Sequence, residues 1–350
     1  MNERDAGRYI LDHTEVIAEA VVRRHYDEHL ERWEPYGPPG YEKSVRDVTY
    51  HLSYLAEALD SGDPSLFLDY LGWAKVLFAQ LGFEDQVLVR SLRYLDEVFA
   101  NSLPEPLQVP ARDYVRTGLQ HVRAAPSRLP SELASQGELA ALSRQYLDLL
   151  LSRDRRAASR LILEAVEQGT PVEAVYKEVF QPVQREVGRL WQMNEISVAQ
   201  EHYCTAATQL IMSQLYPYIF GTARQGHRFM GTCVGGELHE IGVRMVTDFF
   251  EMDGWDTLYL GANTPVDGIL ESLREEKYDV LGVSATMTYH VDRVESLIQA
   301  VRDADLPSQP YILVGGYPFN ISSRLWEHVG ADGHASDAEA AIALANDSVA

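Results

Sequence analysis

The feature that most constrains this chain is a change of hydrophobic period near residue 227. Before it, apolar residues recur every three or four positions, the mark of amphipathic helices. LDHTEVIAEAVVRRHYDEHL, VRDVTYHLSYLAEAL and QVLVRSLRYLDEVFANSL all show it. After Arg228, short apolar runs (HRFMGTCVGG, DTLYLG, DVLGVSA, PYILVGG) alternate with helical stretches such as HEIGVRMVTDFFEMDG and HVDRVESLIQAVRDA, with NISSRLWEHV a further helix at the end. Strand-helix alternation at this spacing predicts a doubly wound parallel sheet of Rossmann-like type.

The helical part divides again. EPYGPPGY, DSGDP and LPEPLQVP punctuate a first group, and AAPSRLPSE separates it from a second. The expected layout is an all-α domain of five or six helices over 1–125, a four-helix bundle over 126–222, and the α/β domain over 227–350. Thr170 and Pro171 read as the cap and first turn of a bundle helix.

Charge and composition exclude several classes. The net charge is −22, which argues against nucleic acid, because phosphate binding needs a concentrated basic surface. The short basic cluster of Arg153, Arg155, Arg156 and Arg160 reads as a solvated helix face. The N-terminus lacks an apolar signal core, and no apolar run has the length of a membrane span. Cys204 and Cys233 are too few for a disulfide framework. The expectation is a reduced, cytoplasmic protein.

In an open parallel sheet, ligands bind beyond the carboxyl ends of the strands. Three loops there carry unusual residues: Glu237-Leu238-His239-Glu240-Ile241-Gly242, Ser284-Ala285-Thr286 and Gly315-Gly316. A neutral imidazole suits the lower axial position of cobalt in a corrin, and Glu237 can accept from its other ring nitrogen and fix its tautomer. A corrinoid whose own base is displaced leaves a long nucleotide tail. Gly242, Gly315 and Gly316 would let backbone approach that tail, and Ser284 and Thr286 would hydrogen-bond it. Taken singly, a histidine at a helix start is more often a cap, and a Gly-Gly pair only a turn. The conjunction at successive strand ends is specific for cobalamin, with His239 on the metal.

The 227–345 block resembles the cobalamin-binding domain of methionine synthase, the B12-dependent mutases and the adenosylcobalamin photoreceptors. The common pattern is D-x-H-x-x-G, then S-x-L, then G-G. Here Glu237 replaces the usual Asp, a form familiar from the photoreceptor branch, and Thr286 replaces Leu. Trp191, with Glu201 ten residues on and His202 next to it, resembles the W…EH signature of those photoreceptors. The resemblance implies that these three residues surround the upper-face adenosyl group. As a bland alternative, Trp191 is core and Glu201-His202 a surface pair. In the DNA-binding photoreceptors a histidine follows the Trp and becomes the upper ligand after photolysis. Here that position is Gln192.

The three-part layout resembles the photocobilins, which pair cobalamin with biliverdin. It implies a non-enzymatic light sensor: light breaks the cobalt–carbon bond of adenosylcobalamin, and self-association of a homo-oligomer changes, with a separate output protein as partner. The residues show no bilin signature of their own. Tyr289, His290, Tyr317, Phe319, Tyr216 and Tyr218 are candidate aromatic walls, and His25, His29 and His51 offer a haem alternative. Two other readings stay open: a corrinoid methyl carrier of a methyltransferase system, and a cobalamin storage module.

Overall fold

The computed structural model describes residues 3–84, 86–134 and 137–350. The chain folds into two compact units, Met1–Ser127 with Ile321–Leu325, and Arg128–Asn320 with Trp326–Ala350.

The first unit is helical: α1 (Glu3–Asp12), α2 (Thr14–Glu28), α3 (Leu30–Trp33), α4 (Gly37–Ser61), α5 (Ser65–Gln80), α6 (Gln86–Ser102) and α7 (Glu105–Ala124). The apolar faces that the periodicity predicts meet in a core containing the fully buried Ile10, Leu52, Leu55, Phe67 and Phe99. Helix α4 stops where Gly62 takes a left-handed φ of 68° and its N–H returns to the carbonyls of Ala58 and Leu59. More α segments appear than the sequence's punctuation alone suggests, because the first helical run breaks at His13 and the short α3 turn follows His29.

The second unit opens with the bundle: α8 (Ala140–Leu151), α9 (Arg155–Glu167), α10 (Val172–Val175), α11 (Gln181–Gln192) and α12 (Val198–Ile219). A π-turn over Tyr176–Phe180 joins α10 to α11, so these count as one long helix of the four. Asp154 caps α9 through the N–H of Ala157, and Ser197 caps α12 through that of Gln200. The expected Thr170 cap is displaced by one residue. Gly169 ends α9 with φ 100°, and the Thr170 N–H bonds back to the Ala165 carbonyl, 3.0 Å. Pro171, extended, is the residue before α10. The basic cluster is exposed as expected, but Arg153 sits in the turn before α9 with φ 63°, off the helix face.

The sheet follows: β1 (Arg228–Cys233), α13 (Ile241–Met252), β2 (Asp256–Gly261), α14 (Val266–Glu275), β3 (Val280–Ser284), α15 (Val291–Asp303), β4 (Tyr311–Gly315), α16 (Tyr317–Ile321), α17 (Leu325–His328), β5 (Gly333–His334) and α18 (Ala338–Val349). All pairings are parallel, in the order β2-β1-β3-β4-β5. This is the doubly wound fold predicted. Two details differ: NISSRLWEHV is broken between α16 and α17, and the two-residue β5 is too short to show as a run.

Bundle and sheet domain share one core. Met245 and Phe249 of α13 join the cluster built from Tyr146, Tyr176, Phe180 and Ile211. Such burial stabilises by about 25 cal/mol per Å² of apolar surface removed from water. No helix among the described residues is long and apolar enough to cross a membrane.

Candidate functional site

Register sets the site. Cys233 pairs with Ser284, and Ser284 with Gly315, so the ends of β1, β3 and β4 lie side by side. The three loops singled out in the sequence therefore leave one edge of the sheet together.

Glu237 is the hub of that edge. Its side chain is fully buried. Oε1 accepts from the His239 ring Nδ1 (2.5 Å) and the His239 backbone N–H (3.0 Å). Oε2 accepts from the N–H groups of Thr286 (2.8 Å) and Met287 (3.0 Å) and from His290 Nδ1 (3.1 Å). Burial pushes its pKa up, but the bonds from His239, His290 and the two backbone groups outweigh that and hold the carboxyl far below the usual carboxylate range. A carboxylate so held only accepts. In the neutral ring, Nδ1 of His239 therefore carries the proton, and the lone pair is left on Nε2.

The residues beside the hub point the other way. The His239 ring is 57% exposed and Leu238 is 72% exposed, although the adjacent Glu237 is sealed. The hydrogen bond to Glu237 raises the His239 pKa; burial opposes it, and the charges of Glu237 and Glu201 add to the rise. Glu201 of α12 thus acts on the same imidazole. Helix α11 ends at Gln192, the chain turns at Asn194 (φ 54°), and α12 starts at Val198, so the ten-residue spacing puts Trp191 and Glu201 at one end of the bundle. Trp191 is half-buried. Glu201 accepts from Thr205 Oγ1 at 3.1 Å, and the exposed His202 lies 3.4 Å from the Glu201 carboxylate. Gln192 is buried.

The glycines divide. Gly242, in the first turn of α13, faces open space. Gly316, with φ 103°, has a reason of its own to be glycine beyond the one expected: a Cβ there would collide with the carbonyl of Ala285. At Gly315 a Cβ would lie 3.4 Å from the Ala335 carbonyl. Thr286 contributes its backbone N–H to Glu237, and Ser284 is half-buried at the end of β3. The residue that sequence reasoning misplaces is His290. Grouped there with aromatic walls, it is instead buried as the second imidazole on Glu237; nothing in its local sequence signals this, since the pairing spans 53 residues.

The remaining aromatics scatter. Phe319 is core, Tyr216 contacts α13 through Arg244, Tyr218 and Tyr317 are exposed, and Tyr289 packs edge-on against His290. His25 bonds Ser91 Oγ (2.9 Å), His51 bonds Tyr70 Oη (2.7 Å), and His29 lies at the end of α2. Both cysteines are free and buried, and burial pushes their thiols to about 11 for Cys204 and about 12 for Cys233.

The donor set fits a corrinoid: one exposed imidazole with a fixed outward lone pair, an exposed leucine beside it, a side-chain-free helix start, and a buried carboxylate behind the ring. Comparison with known proteins agrees. Residues 227–343 match the family described as B12 binding domain, and residues 142–216 match a second family of that description. A corrinoid protein of Desulfitobacterium hafniense is 28% identical over 166 residues, 46% of this chain and 75% of the relative. Dimethylamine corrinoid protein 3 of Methanosarcina acetivorans is 24% identical over 194 residues, covering 53% of this chain and 88% of its own length. Among solved structures, the Methanosarcina barkeri monomethylamine corrinoid protein aligns over 60% of this chain and 99% of its own, with a TM-score of 0.53 and 22% identity, and so shares the fold. The second unit is a cobalamin-binding module.

Proposed function

We propose that the second unit holds a corrinoid with His239 Nε2 as the lower axial ligand, and that the protein is a corrinoid carrier in methyl transfer, served by a separate methyltransferase. The observation that carries this is the buried Glu237, whose five hydrogen bonds fix the His239 tautomer with its lone pair outward. Corrinoid proteins are among its relatives, and B12-binding family models match both bundle and sheet domain, which supports the carrier reading. The bound corrinoid supplies a cobalt–carbon bond that a partner methyltransferase can form and break, and that visible light can break. The protein's own part is to orient the imidazole through Glu237, to cover the other face with Trp191, Glu201 and His202, and to give Gly242, Ser284 and Gly315 to the nucleotide tail.

A second reading is a light sensor that binds adenosylcobalamin, with biliverdin as second chromophore, and changes its self-association on illumination. Two observations favour it. Glu201, 3.4 Å from His202 and at the same end of the bundle as Trp191, adds to the rise of the His239 pKa. The helical unit of residues 1–127 lies outside both stretches matched to B12-binding families and is more than a carrier needs.

Reconstitution with methylcobalamin and adenosylcobalamin, with His239→Ala alongside, tests both. Methyl exchange with a methyltransferase, indifferent to light, establishes the carrier. A light-driven change in spectrum and oligomeric state, with a red band on adding biliverdin, establishes the sensor. A wild-type spectrum identical to that of His239→Ala overturns the axial assignment on which both rest.

A further inference from the structure

Helix α13 begins two residues after His239, and it faces the bundle with a line of polar side chains. Glu240, Arg244 and Asp248 are four apart, hence on one face of the helix. Each reaches across. Glu240 Oε1 accepts from Gln209 Nε2 of α12 at 2.9 Å, while its Oε2 accepts from Tyr259 Oη and the Ala262 N–H, both 3.0 Å, at the end of β2. Arg244 donates to Ser213 Oγ (2.7 Å) and Tyr216 Oη (3.4 Å) of α12. Asp248 accepts from Tyr176 Oη (2.9 Å), and Tyr176 is the first residue of the π-turn.

Most of these bonds are only partly buried, and polar contacts of that kind add little net stability. The line is also incompletely satisfied, since Arg244 Nε is buried with no hydrogen-bond partner among the described residues. What such a network supplies is register: it holds only when its members face one another. Met245 and Phe249 provide adhesion between bundle and sheet domain, and the polar line fixes where on α13 the bundle sits.

We propose that this line is a clasp that couples the position of the bundle to His239, with Glu240 and Gln209 as its positioning residues. The inference rests on His239 being the axial ligand. Glu240 is bonded in sequence to His239 and by hydrogen bonds to both α12 and the end of β2, so displacement of the bundle is felt by the ligand loop. Helix α12 also carries Glu201, two turns from Gln209. The clasp therefore holds the helix that carries Glu201 in register with α13 as well.

The test is a double-mutant cycle of Glu240→Ala and Gln209→Ala in the full chain, with Glu240→Gln as the conservative variant. Gln209 is half-buried, so its truncation leaves the fold intact even if the Glu240 variant is poorly folded. Two signals are read: amide exchange of 198–219 in the ligand-free protein, and the fraction of bound cob(II)alamin showing an axial nitrogen in its electron paramagnetic resonance spectrum. Each single variant is expected to speed exchange in α12 about tenfold and to lower the His-on fraction, the double to be no worse than either, and Glu240→Gln to stay near wild type. Unchanged α12 exchange in both single variants, or effects that simply add, overturns the clasp. A wild-type protein lacking the axial nitrogen overturns the ligand reading instead, and exchange in α12 then judges the mechanical coupling alone.

Discussion

Two histidines buried in the first unit and one carboxylate buried in the second are held in opposite ways. In the first, His25 and His51 are sealed in the core as neutral rings; burial, the main cause, lowers each to about 4. Each has one hydroxyl partner and aromatic neighbours such as Trp33, Tyr94 and Phe78. In the second, Glu237 is sealed as a charge, with a donor in every direction. Burying an uncharged imidazole is ordinary core construction. Burying a carboxylate is costly unless it is bonded, and Glu237, with five donors, is bonded to an exposed ring.

The largest test of this contrast is pH. A histidine whose folded pKa lies below its unfolded value binds its proton only on unfolding. Stability is then fully present above pH 6.5 and falls as pH drops toward about 4, by roughly 3 kcal/mol for each of His25 and His51. In the second unit, burial raises Asp248 to about 6, so its linkage runs the other way and stability rises as pH falls through that value. The half-buried His334, lowered by burial, offsets part of this. Glu237, its pKa depressed, keeps its contribution throughout the window. Amide exchange mapped by region between pH 7 and 4.5 should show α2, α4 and α6 losing protection well before β1 and β3. Simultaneous loss would break the comparison.

Next in size is Glu237→Ala, which strands two imidazoles and two backbone N–H groups. Cobalamin affinity should fall about 10- to 100-fold, the usual consequence of removing the partner that orients a ligating imidazole. Calorimetric titration measures this, and an unchanged affinity would remove the hub from the site. Gly316→Ala should cost about 2 kcal/mol, from a left-handed φ and the collision with Ala285. Chemical denaturation would register it as early exposure of the sheet domain. Smallest is a change in the first unit. Lys75 Nζ donates to the carbonyls of Val122 (2.7 Å) and Ala125 (2.5 Å) at the end of α7. Lys75→Met should cost about 1 kcal/mol and increase proteolysis near residue 125, with no effect on cobalamin binding.

Much of this molecule is legible from residue order. The helical and strand periods, the parallel sheet and the E-x-H-x-x-G loop are local patterns, because backbone geometry repeats every 3.6 or 2 residues whatever lies elsewhere. The errors are of another kind. Thr170 reads as a cap because Pro171 follows it, yet the chain uses its N–H to close the preceding helix. Gly316 reads as room for a ligand, and residue order does not show that a Cβ there would also collide with Ala285. His290 reads as an aromatic wall, yet it is a buried donor to Glu237.

Sequence by itself determined the main helices and strands, that the Glu237–Gly242 loop leaves the end of β1, and that His239 has a carboxylate two residues away. Only the tertiary structure decided that this carboxylate is sealed, that His290 and the Thr286–Met287 backbone complete its shell, and that α13 meets the bundle through Glu240, Arg244 and Asp248. The reason is physical: the strength of a buried charge and the register of two packed helices depend on partners tens of residues distant, and those meet only when the sheet closes its strand order.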